Sequence, residues 1–161
     1  MISDELKSRR GVNSDGRRLN SIMSKKPDMQ KLKAQMSALA ERIALEGFKT
    51  KLDYSIDSIK QVDRILEAIH KDYKRTRSED GLQGIALEFG AYIVKVIEQH
   101  FGPAEWERDD PSLGKDTFPL RWRDTTIFPV GWCLKRILNG PDDDIWSKFQ
   151  TLVLYHETNQ P

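Results

Sequence analysis

The segment Leu82–Phe101 constrains this chain more than any other. Ile85, Ala86, Leu87, Phe89, Ala91, Tyr92, Ile93, Val94, Val96 and Ile97 fall at nearly every angle of a 3.6-residue period, so a helix here is apolar over most of its circumference. A helix of that kind needs neighbours on several sides. Between Ile85 and Gln99 only Glu88, Lys95, Glu98 and Gln99 interrupt it. Gly84 and Gly90 each cost about 1 kcal/mol relative to alanine in a helix interior, so both are expected where another backbone comes close. Gly102-Pro103 stops the element.

Candidates to cover that helix lie on both sides of it. Pro27-Asp28 opens a helical pattern in which Met29, Leu32, Met36, Leu39, Ile43 and Phe48 recur, with Gly47 as a stop. A second helix begins near Ser55 or Ser58, either of which can accept an orphan backbone N–H. It carries the stripe Ile59, Val62, Ile65, Leu66, Ile69 and Tyr73, and Gly81 breaks the chain after a basic run.

Beyond Pro103 the period changes to two. Residues 104–108, centred on Trp106, read as a short strand; Phe118, Leu120 and Trp122 alternate with Pro119, Arg121 and Arg123; residues 127–130 read as a third strand after an Asp124-Thr125 turn. Pro119 and Pro129 belong at edges or strand ends, because proline donates nothing to a ladder. A helix over 132–138 stops at Asn139-Gly140-Pro141. Asp142, Asp143 and Asp144 then open a last helix whose buried stripe is Ile145, Trp146, Phe149, Leu152, Val153 and His156. The expected class is α+β, with helices packed on a small antiparallel three-stranded meander in the order α-α-α-β-β-β-α-α.

With 161 residues, a chain of this size forms one domain. Residues 1–27 are expected to be a flexible basic tail, too poor in large apolar groups to offset the entropy of ordering, and 28–161 a single domain. Residues 1–33 hold nine Lys or Arg against four acids, a net +5 within a chain whose overall formal charge is +1. Such a tail could touch nucleic acid, but it lacks the interleaved aromatic residues that stack on bases, so nucleic acid is disfavoured as a partner. The first 30 residues contain no apolar leader, and no stretch approaches the roughly 20 apolar residues of a membrane span; a cytoplasmic protein without membrane contact is expected. Cys133, the single cysteine, sits in an apolar setting that suits an inert packed thiol. Oligomeric state is not legible.

The sequence carries no phosphate-binding glycine loop, no metal-ligand spacing and no nucleophile elbow. His70, His100 and His156 are far apart and suit helix ends. Asp109 and Asp110 read as solvated loop residues. Asp142, Asp143 and Asp144 suit helix capping better than cation binding. Two constellations remain. Glu88, Tyr92 and Lys95 share one face of the apolar helix and could line a polar pocket, with His100 as a further member; the alternative is that this strip is simply the helix's exposed side. Arg121 and Arg123 flank Trp122 and could meet phosphate or an acidic partner; the alternative is the wet face of a sheet.

Leu52-Asp53-Tyr54-Ser55, with Ser58 and Val62-Asp63, followed by Gly90-Ala91-Tyr92-Ile93, resembles a widespread group of small uncharacterised bacterial proteins. Trp106 and the segment from Pro129 through Lys135-Arg136-Ile137-Leu138-Asn139-Gly140 fit the same pattern, and the resemblance covers roughly residues 50–155. It implies no established activity. Where that pattern has Gly-Glu, this chain has Val94-Lys95, and a lysine replaces no carboxylate acid or ligand.

The leading expectation is a bacterial cytoplasmic interaction domain that binds another protein; toxin-neutralising immunity proteins are an example by analogy. This reading leans against an enzyme and requires no cofactor and no metal. The alternatives are a small-molecule enzyme or binder with a polar pocket on helix 82–101, and weak nucleic-acid binding through the basic tail.

Overall fold

The computed structural model describes residues 28–159; the expected basic tail, 1–27, lies outside the described residues. The chain is α+β; among the described residues there are five helical segments and one small antiparallel sheet in helix–strand–helix order. The order is α1 Met29–Phe48, α2 Ser58–Thr76, α3 Leu82–Phe101, β1 Glu105–Trp106, β2 Leu120–Trp122, β3 Thr125–Ile127, α4 Pro129–Asn139 and a 3-10 turn Pro141–Asp143. A C-terminal helix follows, made of α5 Ile145–Phe149, a π turn Gln150–Leu154 and α6 Tyr155–Thr158. One hydrophobic core runs through all the helices and the sheet. Among the described residues no helix is long and apolar enough to cross a membrane.

α3 occupies the centre, as its composition requires. Phe89, Ala91, Tyr92, Ile93, Val94, Val96 and Ile97 are all fully buried. α1 and α4 flank it, while α2 packs on α4 and α5. On the α1 side the seam is made of small residues. Lys33, Ser37, Ala40 and Ala44 are the buried residues of α1, and the longer Met29, Leu32, Met36 and Ile43 only flank them. The expected stripe is therefore rotated, and Leu39 is 36% exposed; short side chains at the seam let two backbones approach, which long ones would hold apart. The Lys33 ammonium closes this seam with bonds of 2.8 and 2.7 Å to the two carboxylate oxygens of Glu98. Asp28 caps α1 by accepting the Lys31 N–H. The helix runs through Gly47 and stops at Lys49, whose φ is 54°.

On the α4 side the crossing is closer still. A Cβ at Gly90 would lie 2.5 Å from Val130 Cγ2 and 2.7 Å from Val130 Cα, so α4 rests directly on the backbone of α3. Gly84 has no such neighbour within 4 Å, and the expectation of a close approach there does not hold.

The sheet is a meander in the order β1-β2-β3, pairing Trp106 with Leu120 and Leu120 with Ile127. Trp106, Leu120, Trp122 and Ile127 face the core. The Trp122 indole N–H donates to the Phe101 carbonyl at 3.2 Å, which seats the sheet on the end of α3. The third strand starts earlier than 127–130, because the chain turns at Arg123, φ 56°. Pro129 is not a strand residue; it opens α4, where its missing N–H costs nothing.

α4 is tied to α2 by polar groups. Arg136, 3% exposed, places Nε 2.9 Å from Asp63 Oδ1 and a terminal nitrogen 2.6 Å from Glu67 Oε2. The same Asp63 oxygen accepts the Ile145 N–H at 2.9 Å. His70 donates from Nδ1 to the Ile137 carbonyl at 2.7 Å, satisfying an acceptor in the last turn of α4. Gly140 follows with φ 90°, and a Cβ there would lie 2.6 Å from His70 Nε2. Asp144 caps α5 through the Ser147 N–H. The π turn puts one extra residue into the last helix. Ile145, Phe149 and Val153 stay buried, while Leu152, expected in that stripe, is 39% exposed.

Two glycine-to-alanine substitutions on α3 should move stability in opposite directions. Gly84→Ala gains helix propensity with no clash, about 1 kcal/mol in urea unfolding. Gly90→Ala forces α4 outward and costs about 1–3 kcal/mol net of that gain.

Candidate functional site

The loop between α1 and α2 is held at several points by the helices around it. Tyr54 has φ 60°, a left-handed conformation that a bulky residue adopts at a cost of about 1–3 kcal/mol and keeps only when its surroundings over-determine it. Every polar group of Tyr54 is engaged. Its N–H donates to the Tyr92 hydroxyl at 2.8 Å. Its carbonyl lies 2.8 Å from His100 Nε2; a carbonyl only accepts, so that nitrogen carries the proton. Its own hydroxyl donates to Glu41 Oε2 at 2.8 Å. The ring stacks on Tyr92 with centroids 4.5 Å apart, and the Lys95 ammonium stands 4.5 Å from its centroid.

This arrangement follows from the elements around it. α3 supplies Tyr92, Lys95 and His100; α1 supplies Glu41; and the first turn of α2 supplies Ser58, whose Oγ accepts the Tyr92 hydroxyl proton at 2.7 Å. Ser55 accepts the Ser58 N–H at 3.1 Å, as an N-terminal cap would. Asp53 accepts the Ser55 N–H at 3.0 Å. Those Ser55 bonds hold the exposed Asp53 carboxyl below its usual range, so it is ionised at neutral pH. Burial pushes both phenols up, with the Glu41 carboxylate adding to the rise at Tyr54. Both tyrosines are therefore neutral hydrogen-bonding groups rather than bases. A polar hollow of about 540 Å³ opens beside the loop, lined by Lys51, Asp53, Ser55, Ser58, Gln61 and Arg64 among others.

The sequence candidates are distributed differently from the pocket imagined for them. Tyr92 and Lys95 do meet, but Tyr92 is fully buried and its hydroxyl is spent on Tyr54 and Ser58. Glu88 makes no hydrogen bond in this cluster: its Oε2 is closed off from solvent without a donor, and burial raises its carboxyl above the usual range. Arg121 and Arg123 do not form a joint patch. Arg121 bonds Asp110 at 2.7 Å and Glu107 at 3.3 Å, whereas Arg123 bonds Glu157 at 2.6 Å and the Phe101 carbonyl at 3.1 Å. Asp110, expected in solvent, is 5% exposed and takes both the Ser112 N–H and the Arg121 guanidinium. Cys133 is buried and its thiol is pushed up by that burial. His156 lies 3.0 Å from Asp124.

Glu41 and Glu67 lie in no motif and went unnoticed in the sequence; Asp63 and Arg136 stand within the quoted pattern, but nothing in it joins them to each other. Tyr54 was visible only as part of the Asp53-Tyr54-Ser55 pattern. Among the described residues no group of three or more His, Cys, Asp or Glu side chains could hold a metal ion. Comparison with protein-family models, with curated proteins and with solved structures finds no match.

Tyr92→Phe should leave the Tyr54 N–H without its acceptor and cost about 1–3 kcal/mol in urea unfolding, with faster amide exchange at Tyr54. Glu88→Gln should stabilise the protein at pH 7. A carboxyl whose folded pKa is raised binds its proton more tightly when folded, so it loses stability as pH rises above the unfolded value of about 4.3. The gain from Glu88→Gln should therefore shrink to nothing below about pH 4, which unfolding midpoints measured across pH would register.

Proposed function

We propose that this chain is a protein-binding domain, and that the loop around Tyr54 is its recognition element. The supporting observation is the over-determined left-handed Tyr54, held at its N–H, carbonyl, ring and hydroxyl by residues of two helices, α1 and α3. Strain of this kind persists where a surface must keep one shape, and a loop fixed before binding loses little entropy on docking. What it displays is an ionised Asp53 in a polar hollow of mixed charge, lined also by Asp57, Lys51, Lys60 and Arg64, suited to a partner with a protruding polar side chain or charges of both signs.

The resemblance supports the same place. Its two leading segments, 52–55 and 90–93, touch through the Tyr54 and Tyr92 rings. A bacterial cytoplasmic interaction protein, with toxin-neutralising immunity proteins as an example by analogy, is the setting in which this reading fits.

The test is affinity capture from lysate of the source cells by the full chain, by Asp53→Lys and by the distant surface variant Glu79→Lys, all confirmed folded. The expected outcome is one protein retained by the wild type and by Glu79→Lys and lost with Asp53→Lys. Equal capture by all three, or no specific capture by any, would overturn the proposal.

A further inference from the structure

A second hollow lies on a different part of the molecule, where the C-terminal ends of α1 and α2 meet the start of α3. It measures about 430 Å³, within the roughly 300–1,000 Å³ typical of small-molecule sites. None of the Tyr54 cluster lines it. Phe48, Ile69, Tyr73 and Ile85 form its apolar wall, and Asp72 and Asp80 stand among its lining residues. All four wall residues are only partly buried, although each packs on the core, so each presents apolar surface to the hollow.

Its charge is one-sided. No lysine, arginine or histidine lines it. Asp72 is shared with Arg75 at 2.6 Å. Asp80 pairs with no cation among the described residues; its only hydrogen bond runs from its backbone N–H to Ser78 Oγ. The aromatic wall already attracts a positive group: the chain's own Arg77 guanidinium stands 5.8 Å from the Tyr73 ring centroid. Arg77, with φ 58°, ends α2 and turns the chain so that Ser78 and Asp80 close the hollow.

We infer that this hollow is a binding site for a small apolar amine, its hydrocarbon body against Phe48, Ile69, Tyr73 and Ile85 and its ammonium group at Asp80. An aromatic or aliphatic monoamine covers the apolar wall and gives the exposed Asp80 carboxylate a charged donor. A neutral or anionic molecule of the same size satisfies only the wall.

The experiment is an NMR titration of the ¹⁵N-labelled full chain with phenethylamine and, separately, with 3-phenylpropanoate, an anion of similar size. The expected result is saturable shifts at the amides of Ile69, Tyr73 and Ile85 with the amine alone. Asp80→Asn, an exposed substitution whose fold the unliganded spectrum verifies, should weaken the amine about two- to fivefold. No saturable shift with phenethylamine up to about 10 mM, an equal response to the anion, or unchanged affinity in Asp80→Asn would each overturn the inference. Shifts confined to residues of the Tyr54 loop would overturn it as well, while leaving the protein-binding proposal untouched.

Discussion

A helix that is apolar all round must be covered all round, and this constraint on α3 organises everything else in the molecule. Two different solutions cover it. Against α1 the seam is built from Ser37, Ala40 and Ala44, closed at one end by the Lys33–Glu98 pair. Against α4 the missing side chain of Gly90 admits Val130 onto the helix backbone itself. Close packing of this kind excludes voids and makes the position of one helix depend on a single methyl-sized volume of the other. The meander then finishes the end of α3, with Trp122 bonded to the Phe101 carbonyl.

Two cations inside the fold are paired with carboxylates. Removing one member of a buried ion pair typically costs about 3–5 kcal/mol, because the remaining charge is stranded. Arg136 is buried with two carboxylates, Asp63 and Glu67, and Lys33 is buried with one, Glu98. Glu88 contrasts with them, a half-buried carboxyl with an oxygen that meets no donor, and the Trp106 indole N–H and the second terminal nitrogen of Arg136 also meet no acceptor. The Tyr54 cluster belongs with the paired groups but differs in place. It ties a loop, rather than two helices, and it spends that bonding on a backbone conformation that bulky residues avoid.

Much of the architecture was readable in the sequence, since it rests on periodicity and punctuation. The bounds of α3 follow from the apolar run between Gly81 and Gly102, and the stop at Gly140 follows from Asn-Gly-Pro. The errors have physical causes. Leu39 and Leu152 were placed inside because leucine is apolar, but a small-residue seam and a π turn decided which faces are buried. Pro129 was assigned to a strand end, although proline suits a first helical turn equally well. Lys33 was counted with the charged tail, yet it is one of the buried residues of α1. The candidate site was half legible. Tyr92, Lys95 and His100 share one helix, so spacing could join them, but Glu41, Tyr54 and Ser58 reach them from other segments. Only the fold brings such residues together, and no local pattern announces a left-handed tyrosine.

One oxygen atom has wider consequences than its size suggests. Asp63 Oδ1 receives both the Arg136 guanidinium and the Ile145 N–H, so a single carboxylate on α2 anchors α4 and the first residue of α5 at once. Short terminal helices commonly fray on their own, exchanging their amides far faster than the interior. Here the base of the last helix can let go only by stripping a ligand from an oxygen that is also neutralising a buried arginine. Its opening is thereby coupled to that of the α2–α4 interface, and the base of the last helix joins the same cooperative unit as the core instead of behaving as a loose appendage.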